Sequence, residues 1–64
     1  MQNYKMSRMI DEGEIYTQEE LEELGLVNTH QKFAGLLIYK RKDERYLLEP
    51  VGENKFKIRQ KYQL

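Results

Sequence analysis

Leu36-Leu37-Ile38-Tyr39-Lys40-Arg41-Lys42-Asp43-Glu44-Arg45-Tyr46-Leu47-Leu48 is the stretch whose reading decides the fold. Two runs of aliphatic and aromatic residues flank an uninterrupted block of charge, the pattern of two strands joined by a polar turn. If Lys42-Asp43 is a two-residue turn, Arg41 opposes Glu44, Tyr39 opposes Tyr46 and Leu37 opposes Leu48. Downstream, residues 55–61 alternate, with Phe56 and Ile58 on one face and Lys55, Lys57, Arg59 and Lys61 on the other. Taking Val51-Gly52-Glu53 as a three-residue loop sets Glu49 opposite Lys55, Leu48 opposite Phe56 and Tyr46 opposite Ile58. Both hairpins then gather Leu37, Tyr39, Tyr46, Leu48, Phe56 and Ile58 on one face, with opposite charges paired beside each turn. Pro50 cannot donate to a ladder and belongs at a strand end or an edge.

Upstream, Thr17 and Glu20 form a capping box, with Tyr16 and Leu21 placed as a hydrophobic staple. The helix that starts at Thr17 is expected to end at Gly25, with Leu26 reaching back to Leu21. About two turns of helix are unstable alone in water, so Leu21 and Leu24 must dock on the sheet. Met6, Met9 and Ile10 stand at i, i+3 and i+4 before Gly13, which predicts a first short helix over residues 3–12, with a strand as the competing reading. Val27 to Gln31 reads as a loop. The expected fold is thus a single α+β domain over residues 1–64, with one or two short N-terminal helices packed on a three-stranded antiparallel meander.

A second architecture competes. With Met6 to Glu12 as a first helix, Glu14-Ile15-Tyr16 as a short strand, Thr17 to Leu24 as a second helix and Gly25 as its turn, the chain resembles a winged helix-turn-helix domain. His30 to about Lys40 would then be the recognition helix and residues 46–59 the wing. The resemblance implies a DNA-binding transcriptional regulator.

The chain has 64 residues, no cysteine and one histidine. Domains this small bury only about 60% of the surface their unfolded chains expose, and disulfides or zinc commonly compensate. This composition excludes disulfides and the usual zinc clusters, which leaves self-association as the common remedy. No secretory signal pattern and no long apolar run is seen, so a cytoplasmic protein with no membrane contact is expected. The net charge of zero hides a segregation. Residues 1–30 carry two cations against seven acids, net −5, and residues 31–64 carry nine against four, net +5. Two such poles attract opposite partners.

No catalytic constellation is present: His30 stands alone, and Ser7, Thr17 and Thr29 lack the context of an activated nucleophile. Asp11, Glu12 and Glu14 around Gly13 lack an EF-hand pattern and read as solvated turn residues. Gly13, Gly25, Gly35 and Gly52 make no phosphate loop. A non-enzymatic chain without cofactor or metal is expected. The candidate partner-binding residues are Lys55, Lys57, Arg59 and Lys61, joined by Lys40, Arg41 and Lys42, suited to phosphates or an acidic protein. Leu36, Ile38 and Leu47 fall on the face away from the capped helix and are the candidate oligomer patch, unless the first short helix covers them. The functional expectation is a protein-binding regulatory module that forms a homodimer, with nucleic-acid binding as the alternative.

Overall fold

The computed structural model describes residues 9–63, in the order β1 (Ile15–Thr17), α1 (Gln18–Glu23), β2 (Val27–Phe33), β3 (Leu36–Arg41), β4 (Glu44–Gly52) and β5 (Lys55–Gln63). All five strands form one antiparallel sheet in the order β1-β5-β4-β3-β2. The expected three-stranded meander is therefore corrected. It is the middle of a five-stranded sheet, flanked by β1 on one edge and β2 on the other, and α1 is the one helix among the described residues. Of the helix expected over residues 3–12, residues 3–8 lie outside the described part, and Met9, Ile10 and Asp11 are not helical.

The strand β2 was hidden in what reads as a loop. Its pairing steps from Asn28↔Tyr39 to Gln31↔Ile38, so two extra residues interrupt the alternation. One of them, His30, takes φ 63°. The polar side chains that signal a turn here repair the ladder instead. Thr29 Oγ1 donates to the Ile38 carbonyl at 2.6 Å, and Asn28 Oδ1 accepts from the His30 N–H at 2.8 Å. Local side-chain bonds of this kind substitute for missing backbone pairs.

The winged-helix alternative falls on the same residues. In place of a recognition helix from His30 to Lys40, the chain runs through β2, turns at Ala34-Gly35 and returns as β3. The turn takes φ 53° at Ala34 and 81° at Gly35, the two positive values a tight hairpin uses. The β-favouring run Leu36–Tyr39 then pairs along its length, which no helix could share.

The first hairpin has the register derived from sequence: Arg41↔Glu44, Tyr39↔Tyr46 and Leu37↔Leu48. The second is shifted by two residues from the expected one, with Leu48↔Ile58 and Pro50↔Phe56. Strand β4 continues through Gly52, and the turn is Glu53-Asn54 with Asn54 at φ 60°. A shift of two preserves facing, so the inward set survives. Pro50 lies beyond Leu48, the last residue of β4 that pairs with β3, where that side of the strand is locally an edge.

Helix α1 has the ends its sequence specifies. The Thr17 hydroxyl accepts from the Glu20 N–H at 3.1 Å and the Glu20 carboxylate accepts from the Thr17 N–H at 2.8 Å. At the other end Gly25 takes φ 87°, and the Leu26 and Gly25 N–H groups donate to the carbonyls of Leu21 and Glu22, both at 3.0 Å. This pair of bonds is the Schellman closure. The helix lays Leu21 and Leu24 on the sheet, where they join Ile10, Tyr16, Leu26, Tyr39, Tyr46, Leu48 and Ile58 in one buried cluster, with Leu37 and Phe56 packed against it. This inner face is the core of the domain.

Candidate functional site

The outer face of the sheet carries the alternate residues. Ile38 pairs with Gln31 and with Leu47, Leu47 with Gln60, and Phe33 with Leu36. A further row runs Val27, Lys40, Arg45, Tyr62. Leu47 is 4% exposed yet stands outside the core cluster. Phe33 is 63% and Tyr62 39% exposed. A shallow concavity of about 300 Å³ is lined by Phe33, Leu47, Gln60 and Tyr62. No described element packs on this face, since α1 docks on the other.

A second irregularity shapes its electrostatics. Pairing steps from Leu48↔Ile58 to Leu47↔Gln60, which leaves Arg59 as an extra residue in β5. A bulge of this type reverses facing beyond it. Lys61 therefore does not share a face with Lys55 and Lys57; it pairs with Tyr46 on the inner side. There its ammonium donates to the Ile10 carbonyl at 2.8 Å and sits 3.8 Å from Asp11, while its backbone N–H donates to Glu12 at 3.2 Å. Arg59 stays on the outer side and pairs with Glu49 at 3.1 Å.

The seven cations singled out from sequence are thus divided. Lys40, Lys55, Lys57 and Arg59 stand on the outer face and Lys42 at a turn with φ 56°. Arg41 and Lys61 face inward as structural anchors. Arg41 donates to the Leu24 carbonyl at 3.2 Å, to Glu44 at 3.3 Å and to the Tyr46 hydroxyl at 3.5 Å. A cation on the last carbonyls of α1 satisfies unpaired acceptors and opposes the negative end of the helix dipole. Arg45, which sequence reasoning left out, belongs on the outer face opposite Lys40. That face therefore carries Lys40, Arg45, Lys55, Lys57 and Arg59 against Glu49 alone, net +4.

The inner side is the acidic one. Residues 9–30 hold seven acids and no Lys or Arg. The acids of residues 9–30 gather with α1 on the inner side, while five cations of residues 31–64 stand on the outer one and Lys32, Arg41 and Lys61 stay on the inner. Around Tyr46 the acids are engaged: its hydroxyl donates to the Glu44 carboxylate. Burial, reinforced by that bond, pushes the Tyr46 hydroxyl up to about 12, and the same bond, with Arg41 beside it, holds Glu44 below the usual carboxylate range. Tyr39 is also raised, by burial and by Glu22. The Asn54 amide donating to Glu19 at 2.8 Å lowers that carboxyl.

Leu36, Ile38 and Leu47 are brought together as one patch. Sequence reasoning missed Phe33 and Tyr62 beside them. Phe33 was legible as the residue before the Ala34-Gly35 turn, directly across from Leu36. Tyr62 was not, because the bulge at Arg59 decides its face. Among the described residues no group of three or more His, Cys, Asp or Glu gathers as metal ligands, and no helix is long and apolar enough to cross a membrane.

Fold and site together define a two-layer α+β domain with one side covered by an acidic helix and the other presenting an apolar stripe edged with cations. No family model matches the chain, and neither a curated protein nor a solved structure is detectably similar to it.

Proposed function

We propose that this protein is a non-catalytic binding module that acts through protein–protein contact on the outer face of its sheet. The observation that carries the reading is contiguity. Phe33, Leu36, Ile38, Leu47 and Tyr62 form one apolar stripe across four strands, with no described element over it. Single exposed apolar residues are ordinary on protein surfaces, whereas a contiguous patch with a charged rim marks an interaction site. The rim adds to this. Lys40 and Arg45 are directly opposed, and like charges in that position destabilise a strand pair. An anionic surface laid over them turns that cost into attraction.

Site-specific photocrosslinking tests the reading. A photoreactive phenylalanine analogue at Phe33 in the producing cells should give protein adducts that survive nuclease treatment. The same analogue at Glu22, on the acidic helix, should give few. Equal adducts at both positions, or nuclease-sensitive ones at Phe33, would remove protein binding at this face.

A further inference from the structure

We infer that the outer face is a docking groove for an acidic amphipathic helix of a partner protein, an inference that rests on the binding reading above and specifies its partner.

The backbone of the sheet sets the form of the ligand. Under the stripe, β3 is paired with both β2 and β4, β4 is paired with both β3 and β5 from Glu44 to Leu48, and β5 is paired with β4 along its length, so these backbone groups are engaged in the ladders. A segment lying over these strands gains no backbone bonds from them, and buried backbone groups must be paired. A helix satisfies its own, which is why helices are the usual cover for a sheet face. The stripe gives a length. Phe33 on β2 and Tyr62 on β5 stand at opposite corners, with Ile38 and Leu47 between them. Three strand spacings across and about four residues along make a diagonal of roughly 20 Å. A helix of about 13 residues matches that length.

Charge selects the composition. Lys40 and Arg45 lie on one side of the diagonal, and Lys57 and Arg59 on the other. A helix with apolar residues at i, i+3, i+4 and i+7 and acids on its flanks meets Lys40 and Arg45 on one side and Lys57 on the other, where it competes with Glu49 for Arg59, bridged at 3.1 Å. The protein already makes such a contact on its inner face, where α1 sets Leu21 and Leu24 on the sheet among four glutamates. Two other occupants fit less well. A second copy placed face to face would set a net +4 surface against its duplicate. The residues 1–8 of the chain carry Lys5 and Arg8 and no acid, the wrong sign for this rim.

The test is selection from a displayed library of 14-residue helical peptides with randomised surface positions, using the full chain as bait. Binders should emerge with three or more acids flanking apolar residues at helical spacing. Their affinity should fall at least tenfold with Phe33→Ser plus Tyr62→Ser, and at least tenfold with Lys40→Glu plus Arg59→Glu. All four positions are on the surface, and a thermal melt confirms that each variant folds. Binders that depend on Phe33 and Tyr62 but show no acidic preference would overturn the inference and leave the protein-binding reading standing. Binders indifferent to both pairs of substitutions, or a failure to select any, would overturn both. Light scattering and a 15-nucleotide oligothymidylate supply the remaining arms. A dimer abolished by Phe33→Ser, or oligothymidylate binding that outcompetes every selected peptide, would give the groove to a second copy or to a nucleic acid and overturn the inference.

Discussion

The two faces of this sheet are built from alternate residues of the same strands, yet they do different work. On the inner face the side chains converge on α1, and two cations that point that way, Arg41 and Lys61, are bonded to backbone carbonyls of the elements they hold. On the outer face the apolar residues converge on Leu47 with no described element above them, and Lys40, Lys55 and Lys57 form no ion pair among the described residues. An apolar side chain in a strand thus has one of two fates, decided by its parity and by the bulges that reset it.

The contrast is sharpest in stability. Leu48 and Ile58 are fully enclosed, and truncating either to Ala should cost about 2–5 kcal/mol, enough to unfold a domain of this size. Phe33→Ala on the outer face should change stability by less than about 0.5 kcal/mol, because the ring is already largely in water. Urea denaturation of the three variants checks this. If Phe33→Ala proves as damaging as Leu48→Ala, the outer face is not a surface.

Alkaline pH probes the inner face. Tyr46 has its folded pKa raised from 10.0 to about 12, so its contribution is complete below pH 10 and is lost as pH rises from there toward 12. Stability measured by denaturant titration should fall across that window, and Tyr46→Phe should flatten the fall, leaving the smaller effect of Tyr39. An unchanged slope in the variant would show that the hydroxyl is not buried against Glu44.

The helix cap should come next. Thr17→Ala removes the acceptor for the Glu20 N–H and should cost about 0.5–2 kcal/mol, with Thr17→Ser restoring most of it. A melting temperature unchanged in Thr17→Ala would mean that α1 does not start there.

The two lysines on opposite sides of the Arg59 bulge should separate by a smaller margin. Lys61→Ala loses the bond to the Ile10 carbonyl and should cost about 1 kcal/mol, whereas Lys57→Ala should be near neutral. The reverse order would place the bulge elsewhere in β5. Smallest of all, Lys42→Gly should stabilise by up to about 1 kcal/mol, since a lysine at φ 56° is strained where glycine is not. Urea denaturation reads each of these three variants.

Much of the inner face is legible in the amino-acid pattern. Leu37, Tyr39, Tyr46, Leu48, Phe56 and Ile58 can be placed together because strand parity is a local property and a register error of two residues does not disturb it. Both ends of α1 are legible for the same reason: a capping box and a Gly25 stop act within a few residues. What failed was everything that depends on inserted residues. The bulge at Thr29-His30 concealed β2 inside an apparent loop and lent support to a recognition helix. The bulge at Arg59 moved Lys61 off the basic face and put Tyr62 on the outer one.

The sequence by itself therefore determined the strands β3, β4 and β5, the first hairpin's register, the capped helix and the segregation of charge, because each is written in neighbouring residues. Only the tertiary structure decided that β1 and β2 extend the sheet to five strands and that the acids of residues 9–30 gather with α1 on its inner side. It also decided that four of the seven singled-out cations share a face with Phe33, Leu47 and Tyr62. The pairing of β2 and the make-up of that shared face depend on where the ladder skips a residue, and a skip is fixed by the pairing of distant strands rather than by the residues on either side of it; β1 joins without a skip, by pairing with a strand far away in sequence.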